Sequence, residues 1–132
     1  MSVFVDTSAL LAVLDAHEQN HLAAKAQWVA LISRDEELVC TNYILVETFA
    51  LTQNRLGMDA VRTLQEAVVP LLRIEWIGMH SHAHSVAALL TADRRQLSLV
   101  DCASFEAMRR LGIMTAFTFD RHFAEQGFQI MP

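Results

Sequence analysis

Five short strand-like runs, Ser2–Val5, Leu38–Cys40, Arg73–Ile77, Met114–Phe119 and Phe128–Met131, are separated by segments whose apolar residues recur at helical spacing. Strands that alternate with helices have to pair in parallel, because the helix is what returns the chain to begin the next strand in the same direction. The sequence therefore describes an α/β chain with helices on both faces of a parallel sheet. At 132 residues it has room for one domain spanning residues 1–132, and 53% hydrophobic against 19% charged residues leaves no disordered tail to expect.

The helical segments carry their own punctuation. Asp6-Thr7-Ser8 precedes a helix over Ala9–Leu14, and residues 20–33 place Leu22, Ala26, Val29, Ala30 and Ile32 on a helical period. Thr41 or Asn42 caps a helix from Tyr43 to Leu56, and Gly57 supplies the left-handed residue after it. Asp59 then caps Ala60–Val69, which Pro70 stops. A helix over Ser81–Thr91 and a polar connection over Ala92–Leu97 follow. Ser98 opens the next helix, which closes at Arg109-Arg110-Leu111 with Gly112 beyond it, and a short helical turn is expected over Arg121–Glu125.

Whole classes of function drop out. The longest apolar runs, Ala9–Leu14 and Ala67–Leu72, fall far short of the roughly 20 residues of a membrane span. The N-terminus has no basic residue ahead of its apolar stretch, so no signal peptide is expected and the cytoplasm is the expected compartment, with no membrane partner. Cys40 and Cys102 read as buried thiols without chemistry. Ten basic against fifteen acidic residues, a net charge of −5, opposes a purely electrostatic grip on nucleic acid. If four acids surround a divalent metal, however, the rest of the surface is nearly neutral, and a nucleic-acid substrate stays open.

Four acids stand where such a fold brings its ends together. Asp6 and Asp120 each follow a strand directly, at the carboxyl edge where open α/β sheets bind ligands. Asp101 lies in the first turn of its helix, and Glu47 is the lone acid in the apolar stretch Tyr43–Leu51, poorly solvated unless it faces a polar site. Each also has a purely structural reading: Asp6 as a helix cap, Asp101 as the third residue of a capping box opened by Ser98, Asp120 as a strand terminator. Carboxylates crowded together raise one another's pKa unless a cation neutralises them, and an oxygen-only donor set suits Mg²⁺ or Mn²⁺.

Phe4-Val5-Asp6-Thr7-Ser8-Ala9-Leu10, Val46-Glu47, Leu97-Ser98-Leu99-Val100-Asp101-Cys102-Ala103-Ser104-Phe105 and Thr118-Phe119-Asp120-Arg121-His122-Phe123, with Gly127-Phe128 at the close, resemble the PIN-domain nucleases and within them the VapC-type toxin branch. The resemblance covers essentially the whole chain. It implies a three-layer α/β/α sandwich on a five-stranded parallel sheet in the order 3-2-1-4-5, and Mg²⁺- or Mn²⁺-dependent cleavage of RNA. It places the family's acidic positions on Asp6, Glu47, Asp101 and Asp120; Asp6 and Asp101 are expected as direct metal ligands, with Asp120 and Glu47 binding through water or positioning the attacking one. The hydroxyl position beside the site falls on Ser8 or Thr7, and on Thr118. An antitoxin protein and a second copy of the chain are the partners implied, besides RNA.

Nine of the ten basic residues are arginines, whose planar fork suits phosphate, and Arg94, Arg95 and Arg121 lie near the acidic motifs as RNA contacts. His80 and His84 share a helix face but read as an exposed helix start, Asp93 as a loop residue, and His122 as a surface residue or a substrate contact, since the resembled site uses no histidine. A phosphatase of the haloacid-dehalogenase type needs a second aspartate where Ser8 stands, and a receiver domain needs a lysine in a set place, whereas the one lysine is Lys25 between the first two strands. The readings left beside a toxin are an RNA-processing nuclease without an antitoxin and a non-catalytic binding domain, the latter opposed by possession of all four acids.

Overall fold

A computed structural model describes residues 1–131. Its strands, β1 (Ser2–Val5), β2 (Glu37–Thr41), β3 (Leu72–Glu75), β4 (Thr115–Phe117) and β5 (Gln129–Met131), form one sheet in the order β3-β2-β1-β4-β5 with every neighbouring pair parallel. This is the α/β class and the strand order that the resemblance implied. The helices are α1 (Thr7–Leu14), α2 (His21–Ser33), α3 (Asn42–Leu56), α4 (Met58–Thr63), α5 (Met79–Ala92), α6 (Leu99–Leu111) and α7 (His122–Glu125). α1 packs on α2 and α3, α3 on α4, and α5 on α6. Among the described residues no helix is long and apolar enough to cross a membrane.

The central strand β1 is buried from Val3 to Val5, and the sheet order reverses beside it, with β2 on one side and β4 on the other. That reversal opens a crevice at the carboxyl ends of β1 and β4. Phe4, Phe105, Phe123 and Phe128 interlock beneath the crevice; Phe105 meets Phe123 edge-on at 5.0 Å between centroids and stacks on Phe128 at 6.0 Å. Such pairs add about 0.5–1.5 kcal/mol each beyond their burial, so α6, the short α7 and β1 are clamped into one body. Cys40 and Cys102 are buried and free, as expected.

Several boundaries move, each for a local reason. α1 begins at Thr7 rather than Ala9, because the Asp6 side chain accepts from the Ser8 amide and starts the helix early. Thr41, not Asn42, caps α3 by accepting from the Ile44 amide at 3.2 Å; Asn42 instead accepts from the Ile77 amide at 2.6 Å, which helps end β3 at Glu75 rather than at Ile77. Asp59 lies inside α4 and pairs with Arg62 at 2.9 Å instead of capping. The expected helix to Val69 loosens into a π-turn over Leu64–Val68 and a tight turn over Val69–Leu71, since Pro70 has no N–H to return and its ring crowds the carbonyl of Glu66. β4 stops at Phe117 because the next two free amides, of Phe119 and Asp120, are captured by side-chain hydroxyls.

Candidate active site

Asp6 ends β1, and its amide donates to the Phe117 carbonyl at 3.0 Å, which continues the β1–β4 pairing into the crevice. Its carboxylate is 5% exposed. Oδ2 accepts from the Ser8 amide at 3.4 Å, from Ser8 Oγ at 2.7 Å and from Thr118 Oγ1 at 3.0 Å. The two hydroxyls accept in turn: Phe119 N–H donates to Ser8 Oγ and Asp120 N–H to Thr118 Oγ1, both at 2.9 Å. Two amides of the loop after β4 thus reach the Asp6 carboxylate through two hydroxyls. Every protein donor converges on Oδ2, and Oδ1 has no partner among the described residues.

Asp101 is the third residue of α6. Its amide donates to Ser98 Oγ at 3.0 Å and its Oδ2 accepts from the Ser98 amide at 3.1 Å, so the capping box read from the sequence is present. That role engages one carboxylate oxygen and leaves the other. Asp120 follows the same rule, with Oδ1 accepting from the His122 amide at 2.9 Å. Three aspartates are each anchored through a single oxygen.

Their charges feel one another. Burial, reinforced by the charges of Asp101 and Asp120 and opposed by the hydroxyls of Ser8 and Thr118, pushes the Asp6 carboxyl up to about 6 from an ordinary 3.8. Burial also raises Asp101, with Asp120 adding to it and the Ser98 hydrogen bonds opposing. One donor atom each from Asp101, Asp120 and His122 lies within 4.8 Å of the other two. Neighbouring carboxylates, with the Asp6 and Asp101 carboxyls pushed up by burial and by nearby acids, are what a divalent cation neutralises, and the donor set fits one.

The other expected residues divide. Glu47 is half-buried on α3 and lines a groove with Asn42, Tyr43, Val46 and Val100, the last being the neighbour of Asp101; it is not part of the close group. Ser8 and Thr118 touch Asp6, whereas Thr7 turns to Thr48, whose hydroxyl donates to it at 3.4 Å, and joins α1 to α3. Arg95 and Arg121 are exposed and pair with no acid among the described residues; Arg94 is paired with Glu125 at 3.1 Å. Asp93 terminates α5 in the left-handed conformation, and His80 and His84 are exposed on α5. A cavity of about 510 Å³ lies against Leu97, Cys102, Phe105 and Arg109, and none of the four expected acids lines it. The carboxylates sit instead on the open edge of the sheet.

The PIN domain profile matches residues 3–129. The chain belongs to the PIN domain family. Over 127 residues it is 32% identical to the 23S rRNA-specific endonuclease VapC20 of Mycobacterium tuberculosis, covering 96% of this chain and 95% of that protein. It is 27% identical over 124 residues to ribonuclease VapC26 of the same species, covering 92% and 90%. The crystal structure of VapC20, described as a sarcin–ricin loop cleaving toxin, matches with a TM-score of 0.85 at 31% identity, covering 96% of this chain and 95% of that one. FitAcB from Neisseria gonorrhoeae matches with a TM-score of 0.70 at 15% identity, covering 100% and 97%, and attests the fold alone. VapBC2 from Rickettsia felis, bound to a DNA fragment from its promoter, does likewise at 0.71 and 9%, covering 99% and 98%. In this PIN domain the residue that sequence reasoning undervalued is His122, polar and next to charged neighbours, whose burial comes only from the fold.

Proposed function

We propose that this PIN domain is a metal-dependent endoribonuclease that hydrolyses RNA phosphodiester bonds, and that it is the toxin of a toxin–antitoxin pair. The observation that carries the reading is the gathering of Asp6, Asp101 and Asp120 at the crevice where the strand order reverses: Asp101 and Asp120 each bring an oxygen within 4.8 Å of the other's, their charges reach Asp6, and each carboxylate keeps capacity beyond its anchoring hydrogen bonds. A site on an open edge rather than in a cavity suits a substrate too long to be enclosed. A divalent cation such as Mg²⁺ or Mn²⁺, held by Asp6, Asp101 and Asp120, would lower the pKa of a water and offset charge developing on the phosphate.

The chain's own residues do the placing. Ser8 and Thr118 hold the Asp6 carboxylate by Oδ2 and keep Oδ1 for the cation. Ser98 fixes Asp101 against the first turn of α6 in the same way. Glu47, one helix away, orients a water or binds the cation through one. Arg95 and Arg121 take phosphates of the RNA, and Arg94 joins them where Glu125 releases it. The likeness to VapC20 over 96% of the chain supports ribosomal RNA as the substrate class and an antitoxin as partner. Trp76, Met79 and Leu90 near α5 and Val46 on α3 stay exposed and supply an apolar surface for a second copy of the chain. The cytoplasm is where RNA and antitoxin are met together.

The test is cleavage of a structured RNA by the purified protein in Mg²⁺ or Mn²⁺, with and without excess chelator. Activity that needs the cation and stops on chelation supports the reading; activity that persists in chelator refutes it. Binding of RNA without cleavage under any divalent cation favours the non-catalytic alternative.

A further inference from the structure

His122 begins α7 two residues after Asp120. Its Nδ1 lies 3.0 Å from Asp120 Oδ1, yet the two are not aligned for a hydrogen bond, and Nδ1 is buried with no other partner. Histidines elsewhere are placed differently: the His17 side chain is 95% exposed, His21 bonds the Ala12 carbonyl, and His80, His82 and His84 are exposed on α5. A nitrogen and a carboxylate oxygen at that separation form a bent ion pair when the ring is protonated, and when it is neutral they match two adjacent ligands of one ion. Donors about 2.1 Å from an octahedral cation and at right angles to each other stand about 3.0 Å apart. Asp101 joins these two residues: one donor atom from each of Asp101, Asp120 and His122 lies within 4.8 Å of the other two. The His122 amide, donating to Asp120 Oδ1, ties backbone, ring and carboxylate into one short turn.

We propose that His122 is a nitrogen ligand of the divalent cation held by Asp101 and Asp120. This rests on the metal-dependent reading above and departs from an oxygen-only site. Its consequence is selectivity: an imidazole favours Mn²⁺ and Co²⁺ over Mg²⁺, which prefers oxygen. His122→Asn keeps a polar side chain of similar reach and removes the ring. It should weaken Mn²⁺ and Co²⁺ binding by on the order of tenfold or more and leave Mg²⁺ binding nearly unchanged.

The decisive measurement is spectroscopic and does not depend on activity. Pulsed EPR of the full-length protein loaded with Mn²⁺ alone should show electron-spin-echo modulation from a directly bound imidazole nitrogen. Incorporation of ¹⁵N-histidine should change that modulation, and His122→Asn should abolish it. Mn²⁺ bound with no nitrogen modulation overturns the role of His122 and leaves metal dependence standing. Failure to bind Mn²⁺ at all overturns both. Modulation that survives in His122→Asn assigns the nitrogen elsewhere and refutes the proposal.

Discussion

Replacing Asp6 by asparagine separates the residue's two roles. All three protein donors to the carboxylate end on Oδ2, so a single amide oxygen accepts every one of them, and an asparagine caps α1 about as well as an aspartate. What disappears is the negative charge. The carboxyl is raised from 3.8 to about 6, a difference that corresponds to roughly 3 kcal/mol favouring the neutral form in the folded state. The folded protein holds the proton more tightly than the unfolded chain, so the metal-free protein loses stability as pH rises from about 4 through about 6 and carries the whole penalty above about 7. Asp6→Asn removes that penalty. In chelator at pH 8 its midpoint of thermal unfolding should therefore lie above that of the unmodified protein, by on the order of 10 °C for a chain of this length. The gap should close as pH falls toward 4, where both side chains are neutral. Mn²⁺ should then stabilise the unmodified protein and much less the variant, and cleavage should fall by orders of magnitude. Differential scanning calorimetry across pH, with and without metal, reads all of this. A variant no more stable than the parent at pH 8, or a gap independent of pH, refutes the electrostatic account of the site.

Ser8→Ala leaves the Phe119 amide without its acceptor and Asp6 without its shortest hydrogen bond; unfolding free energy should drop by roughly 1–3 kcal/mol in denaturant titrations, and cleavage should slow without loss of metal binding. Arg95→Ala and Arg121→Ala should weaken RNA binding similarly for all sequences and lower the salt dependence of the dissociation constant, leaving thermal stability unchanged because neither residue is paired in the fold.

How much of this was legible in the chain follows from where each interaction lies along it. The strand order came from the family resemblance alone, whereas the positions of Asp6 and Asp120 at the sheet's carboxyl edge were readable because each acid directly follows an apolar run, and that of Asp101 because Ser98 stands three residues before it. Both readings of Asp101 hold together, since a capping carboxylate engages one oxygen and has another to offer. The shortened β4 was not readable: its amides are taken by Ser8, 111 residues away, and by Thr118, whose partner Asp6 is 112 residues away. Thr7 and Ser8 look equivalent in sequence, and only the packing of α1 on α3 decides that Thr7 turns to Thr48 while Ser8 turns to the carboxylate. Glu47 stood out as an acid among apolar residues, but its distance from the others is set by how α3 lies against α6. His122 resembled a surface residue because its surroundings are polar in sequence; burial beside Asp120 is contributed by the loop and α7.

A hydroxyl carries a single proton, and this gives the network around Asp6 a direction. Ser8 and Thr118 each accept from an amide, of Phe119 and of Asp120, and lie 3.2 Å apart, so each has one proton to direct at the other hydroxyl or at the carboxylate; an ionised Asp6 draws both protons and the donors then run from backbone to charge. Whatever changes the charge of Asp6 changes the demand at the far end of that chain. The two amides are therefore built-in reporters of the site's state: their hydrogen exchange records, from within the backbone, whether the carboxylate is ionised, protonated or shared with a cation.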